Sequence, residues 1–190
     1  MTERLPRLTE ADLNDAQLEV YRSITGGPRA SGKQLFALKD ESGALNGPFG
    51  VMLHAPELGL ALQELGAALR YRTRMTDRCR EIAILMIAVG TASEFEWYAH
   101  ERVGRAVGLT EAELEALRDG TFSSEDRAEQ AIADLCDRLL AQNHLDDEEY
   151  AQASAVLDNE EILEVTVLVG YYRTLAQMMH VFKIEAPVES

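Results

Sequence analysis

Cysteine is scarce in this chain. Cys79 and Cys136 stand far apart and belong to no Cys-x-x-Cys pair, so the sequence encodes no local zinc site and no local redox dithiol. They read as two reduced thiols in helices of a cytosolic protein; whether they meet in space as a redox pair stays open. Also absent is any uninterrupted apolar run of membrane-spanning length. The first residues, MTERLPRLTEADL, are mixed and acidic with no apolar signal core, and the expectation is a cytoplasmic protein with no membrane contact. Positive charge is in short supply as well. With 18 Lys and Arg against 33 Asp and Glu the formal net charge is -15, which would repel a phosphate backbone and excludes a nucleic-acid partner. The same acidity gives no long-range attraction for an anionic substrate, so such a substrate needs a local basic patch. The stretch RYRTRMTDRCR, with Arg70, Arg72, Arg74, Arg78 and Arg80, is the candidate.

What the chain does have is helical patterning. A hydrophobic fraction of 46% over 190 residues suffices for one domain with a substantial core. Thr9 precedes a first helix, EADLNDAQLEVYRSI, closed by Gly26-Gly27-Pro28. Residues 28–50 read as an ordered loop with a turn at Asp40-Glu41-Ser42-Gly43. Pro48 begins a short helix, and Pro56 opens the next. Thr76 and Asp77 cap a helix carrying Glu81, Ser93 begins another that Gly108 ends, and Thr110 with Glu113 forms a capping box for a short helix to Gly120. Later helices start at Ser123 or Ser124, at Asp146 or Asp147, and at Asn159. The last contains a Val-Thr-Val-Leu-Val run that helical flanks argue against reading as a strand. The expectation is an all-α single domain over 1–190, made of an N-terminal helix and loop (1–47), a core (48–120) and C-terminal helices (121–190). Glu81-Ile-Ala-Ile-Leu and Glu164-Val-Thr-Val-Leu, trailed by His100 and His180, form a faint echo that fits two related helical halves as well as chance.

The segment from Glu81 to His100, EIAILMIAVGTASEFEWYAH, carries the chemistry. A carboxylate heads an apolar run, and Ser93, Glu96 and His100 follow at i, i+3 and i+7. With Ser93 at zero, Glu96 falls at about 300° and His100 at about 340°, in the middle of the face that carries Phe95, Ala99 and Val103. A carboxylate and an imidazole on a buried face are costly unless paired or employed.

These motifs resemble the carboxymuconolactone decarboxylase family, which includes alkyl hydroperoxidase D. The resemblance rests on Leu45-Asn46-Gly47-Pro48-Phe49, His54-Ala55-Pro56-Glu57-Leu58, Arg80-Glu81-Ile82-Ala83-Ile84-Leu85, and Ser93 to His100 leading to Gly108-Leu109. It covers 45–120, and more loosely Gly170-Tyr171-Tyr172 and the Phe182 to Pro187 tail. It implies an AhpD-like helical fold and a homo-oligomer, trimeric or hexameric, with the site near a subunit boundary. In the hydroperoxidase branch a Glu precedes a Cys-x-x-Cys pair, and a His follows the second Cys by four residues. Here Glu81 and His100 match, while Ser93 and Glu96 stand where the cysteines would be. Neither serine nor glutamate can serve as peroxidatic or resolving thiol. Thiol peroxidase activity therefore requires Cys79 or Cys136 to have taken over.

What remains is a cofactor-free acid–base set of Glu81, Glu96 and His100. Decarboxylation of a carboxymuconolactone fits it: protonated His100 donates a proton or polarises the lactone, Glu96 orients His100, and Glu81 relays protons. Ser93, Trp97 and His54 are candidates to line the substrate site, with Arg80 or a neighbouring arginine holding a carboxylate. Structural alternatives stand beside each assignment. Glu81 could pair with Arg78 or Arg80 at the start of its helix or with an arginine from another helix, Glu96 and His100 could be a satisfied buried pair, and Trp97 could be core. His54 could be a junction residue, as His144 is at a helix end. Tyr71, Tyr171 and Tyr172 could present hydroxyls to a pocket. Three classes stay open: a lyase or isomerase acting on a small lactone or carboxylate, a metal enzyme using Glu81, Glu96 and His100 as ligands, and a non-catalytic oligomeric protein.

Overall fold

Local capping chemistry sets most of the helix boundaries. A computed structural model describes residues 3–27 and 34–187, and among them the regular structure is all-α, apart from an isolated antiparallel bridge between Lys39 and Leu45. The chain divides into two compact units, one of residues 1–72 and 175–190, the other of residues 73–174.

In the first unit the α-helix starts later than the sequence suggests. Thr9 caps only a 3₁₀ turn over Glu10–Asp12, Leu13 is extended, and α1 (Asp15–Thr25) begins at Asn14. The reason is a reciprocal box: Gln17 N–H donates to Asn14 Oδ1 and Asn14 N–H to Gln17 Oε1, both at 3.0 Å, satisfying two otherwise orphaned amides. The turn at 40–43 is present, closed by Gly43 N–H to Asp40 O at 3.0 Å, with Asp40 Oδ1 accepting from Ser42. The part of the expected loop over residues 28–33 lies outside the described residues. Prolines at the first helical position open both α2 (Pro48–Met52) and α3 (Pro56–Tyr71). These two helices come so close that a Cβ on Gly59 would lie 2.3 Å from the Met52 carbonyl oxygen. Only glycine fits there.

The second unit holds α4 (Asp77–Gly90), α5 (Glu94–Ala106), α6 (Glu111–Asp119), α7 (Arg127–Gln142), α8 (Asp147–Ser154) and α9 (Asn159–Phe182) as far as Thr174. The expected caps at Thr76, Thr110 and Asp146 are in place. α7 departs: its cap is Asp126, whose Oδ1 accepts from Ala128 and Glu129, while the Ser124 hydroxyl donates to Glu129 instead. The Val-Thr-Val-Leu-Val run is helical, and Thr166 returns its hydroxyl to the Ile162 carbonyl at 2.7 Å.

α4 is the central element of this unit. Every residue from Cys79 to Leu85 is buried, so its apolar run is covered on all sides, by α5, α6 and α7. Ile82, Leu85 and Ala88 pack with Trp97 of α5, Leu114 and Leu117 of α6 and Ala133 of α7. Gly104 lets the Leu109 side chain, from the link to α6, pack onto α5, since a Cβ there would meet it at 2.9 Å. Arg78 fastens the entry of α4: Nε donates to Glu129 at 2.6 Å, Nη1 to the Gly108 carbonyl at 2.7 Å, and Nη2 to Glu113. No helix among the described residues is long and apolar enough to cross a membrane.

The Arg78 clamp has a consequence for stability. Burial pushes the Glu113 carboxyl up, but the Thr110 N–H and Arg78 together outweigh it and leave Glu113 below the ordinary glutamate range. A depressed carboxyl contributes stability that is present above its unfolded pKa and is lost as pH falls through the folded one. Arg78→Ala should lower unfolding free energy at pH 7 by about 2 kcal/mol, because it strands the buried Glu129 and half-buried Glu113. It should also flatten the acid limb of the stability profile. Urea denaturation at pH 7 and pH 4 measures both, and an unchanged midpoint would refute the clamp.

Candidate active site

Three residues, Thr91, Ala92 and Ser93, join α4 to α5, and Ala92 turns the chain with a left-handed φ of 51°. So short a link makes the helices an antiparallel hairpin. It brings Glu81, on the first arm, level with His100, on the second. His100 Nδ1 lies 2.6 Å from Glu81 Oε2, a short charge-assisted contact inside the core. The other ring nitrogen, Nε2, is held more loosely: Glu96 Oε2 is 3.5 Å away and the Tyr172 hydroxyl 3.4 Å away. Tyr172 also meets the His100 ring edge-on, with centroids 5.3 Å apart, and Tyr171 stacks edge-on against Tyr172 in turn. Glu81 is 0% exposed, Glu96 4% and His100 5%.

Sequence reasoning assigned the orienting role to Glu96, one helical turn from His100. The short bond comes from Glu81, nineteen positions away, because hairpin packing brings the two closer than the i, i+4 spacing along α5 does. The alternative that Glu81 pairs with Arg78 or Arg80 is not what is found. Arg78 is taken by Glu113 and Glu129, and Arg80 bonds Asp77. Arg80 is itself 6% exposed, with its Nε lacking a hydrogen-bond partner among the described residues. Arg74 is committed to Asp158 and Glu160. The basic patch within this unit is thus neutralised by its own carboxylates.

The other candidates fall into separate places. His54 belongs to the first unit, where its Nε2 lies 3.1 Å from the Pro6 carbonyl oxygen. His144 Nδ1 rests 2.9 Å from the Gln142 carbonyl oxygen at the end of α7. Trp97 is both core and cavity wall: it packs against Ile82 and Leu114, its Nε1 donates to Glu101 at 3.0 Å, and its ring borders a cavity of about 240 Å³. Ser93 lines the same cavity, as does Arg118 of α6. The echo in the second half does not repeat the acid–histidine pair. Glu164 accepts the Arg74 N–H at 2.9 Å, and it shares a single helix with His180 rather than facing it across a hairpin.

Arg118 at the cavity went unassigned from sequence, and Tyr172, read only as a hydroxyl that could face a pocket, was not linked to His100. No periodicity links Tyr172 to a residue 72 positions earlier, and an arginine in a last helical turn ordinarily reads as a partner of the helix dipole. Among the described residues no group of three or more His, Cys, Asp or Glu is arranged to hold a metal ion.

No protein-family model and no curated protein matches the chain. Solved structures do match. The alkylhydroperoxidase AhpD core of an uncharacterized peroxidase-related protein from Ralstonia eutropha aligns with a TM-score of 0.76 over 98% of this chain and 93% of its own, at 12% identity. The debrominase Bmp8, in a cysteine-to-alanine variant complexed with 2,3,4-tribromopyrrole, gives 0.74 over 99% and 94%, at 13% identity. An AhpD-type protein of unknown function from Agrobacterium tumefaciens gives 0.66 over 73% and 97%, at 20% identity. The chain therefore has the AhpD-like fold, the fold of these peroxidase-related proteins. Identities this low speak to the fold alone.

Both thiols are enclosed. Burial pushes Cys79 up, and pushes Cys136 up to about 12. Since the thiolate is the reactive form, Ellman's reagent at pH 8 should leave both cysteines of the folded protein unmodified and titrate two thiols after unfolding. Rapid stoichiometric reaction of either in the native state would show that an accessible nucleophile exists.

Proposed function

We propose that this chain is a cofactor-free acid–base enzyme of the carboxymuconolactone decarboxylase type, acting on a small lactone or carboxylate through His100. The observation that carries the reading is the asymmetry of that imidazole. One nitrogen is fixed by a fully buried carboxylate at 2.6 Å, while the other has contacts at 3.4 and 3.5 Å, at the long edge of hydrogen bonding. An acid that must hand a proton to a substrate needs this arrangement: one edge locked, which fixes the ring's orientation, and one edge free to engage.

In the proposed reaction the bond to the departing carboxylate breaks as CO2. Its electron pair moves into the conjugated lactone carbonyl, giving a dienolate. His100 delivers the proton from Nε2 to carbon, and a solvent proton then restores the ring, so one proton is consumed for each CO2 released. Glu81 balances the positive charge of the doubly protonated ring. Glu96 and the Tyr172 hydroxyl, both beside Nε2, are the groups through which the proton is replaced. The enclosed thiols do not favour a peroxidase reading, because a peroxidatic cycle begins with an accessible thiolate. A homo-oligomer, trimeric or hexameric, accompanies the proposal, and light scattering reads it directly.

The purified protein should decarboxylate 4-carboxymuconolactone, followed by loss of lactone absorbance and release of CO2. His100→Ala should lower kcat about a hundredfold or more, and Glu81→Gln about tenfold or more, each read on protein whose circular dichroism matches the parent's. Undiminished turnover by His100→Ala would exclude His100 as the acid. No turnover by the parent would exclude this lactone as substrate.

A further inference from the structure

The cavity at the start of α5 has features that a packing defect does not need. Ser93 is the N-cap residue of α5, yet its side chain makes no capping bond, so no side chain covers the first turn of the helix. It is 3% exposed, its hydroxyl makes no hydrogen bond among the described residues, and it lines the cavity. A serine normally placed to cap, buried and left unused, marks a place where another acceptor is meant to sit. The uncapped end of a thirteen-residue helix also favours negative charge there.

Across the cavity stands Arg118. Arg74, Arg78, Arg80 and Arg105 each hydrogen-bond carboxylates of this unit. Arg118 makes no such bond. Its guanidinium lies over the Trp97 ring at 4.7 Å, and it reaches Glu94 at 3.8 Å, the limit of an ion pair. The ring contact holds the cation in place without using its N–H groups, which arginine uses to grip a carboxylate with two parallel bonds. Glu94, largely exposed at the rim, is the competing carboxylate and can turn outward. The remaining walls are apolar, from Val89, Ala92 and Trp97, and the volume of about 240 Å³ is below that of pockets for drug-sized molecules.

We infer that the Ser93–Trp97–Arg118 cavity is the anchoring subsite for a small carboxylate with an apolar, unsaturated body. The charge is held by Arg118 and the Ser93 hydroxyl, and the body lies against Trp97. The inference rests on the acid–base reading for its role in turnover, because Ser93 and Trp97 lie on the same side of α5 as Glu96 and His100. It commits the substrate to an anion and makes Arg118, not an arginine of the 70–80 stretch, its holder.

Trp97 is the single tryptophan of the chain, so its fluorescence, excited at 295 nm, reports occupancy of this cavity without any need for turnover. Benzoate should give a saturable change that neutral benzamide does not. Arg118→Gln, on a largely exposed side chain, should weaken benzoate about tenfold or more. Glu94→Gln should tighten it. His100→Gln should leave benzoate affinity unchanged while removing turnover, which separates failure of the subsite from failure of the acid–base proposal. An unresponsive wild-type protein, an equal response to benzamide, equal competition by inorganic phosphate, or an Arg118→Gln titration matching wild type would each overturn the inference.

Discussion

A carboxylate with no exposure to water, set into an apolar helix, is the condition to which the rest of the second unit answers. Leaving Glu81 uncompensated would cost several kcal/mol. His100 meets the need at 2.6 Å, and it can do so only because α4 and α5 fold back on one another through three residues. The left-handed turn at Ala92, the close approach at Gly104 and the enclosure of α4 by α5, α6 and α7 all serve that registration. Tyr172 then completes the surroundings of the ring from α9. The polar set is thus a requirement of folding before it is a property of function.

Charge is distributed by the same logic. The chain is strongly acidic, and its arginines are mostly spent on holding helices together. Arg78 joins the start of α4 to α6 and α7, Arg74 is bound at the start of α9, and Arg105 ties α5 to Glu111. A protein so poor in cations keeps few for a ligand. That scarcity is what gives Arg118, set over an indole and barely engaged with Glu94, its significance beside an unoccupied serine hydroxyl.

The helices were legible in the sequence wherever caps decide them. Thr76, Thr110, Asp146, Pro48 and Pro56 each act locally, and each stands where its chemistry put it. Two starts shifted because competing caps lay a few residues on: Asn14 beyond Thr9, and Asp126 beyond Ser124. The grouping of Ser93, Glu96 and His100 on one face followed from a 3.6-residue period. What could not be read was tertiary. That Glu81 rather than Glu96 would hold His100, and that Arg80 would turn to Asp77, depend on how the α4–α5 hairpin closes and on which carboxylate each arginine meets first. Tyr172 and Arg118 reach their places through packing between elements, and spacing along one helix carries no trace of that.

Gly59 bears on how such a chain changes over evolutionary time. At 10–20% identity to proteins of the same fold, at least about four aligned positions in five differ. A position where any side chain would strike backbone rather than a yielding neighbour is not free to join in that drift, whatever the protein comes to do. Any descendant or distant cousin that keeps the contact of α2 with α3 must keep a glycine there. The constraint is imposed by geometry and owes nothing to the reaction.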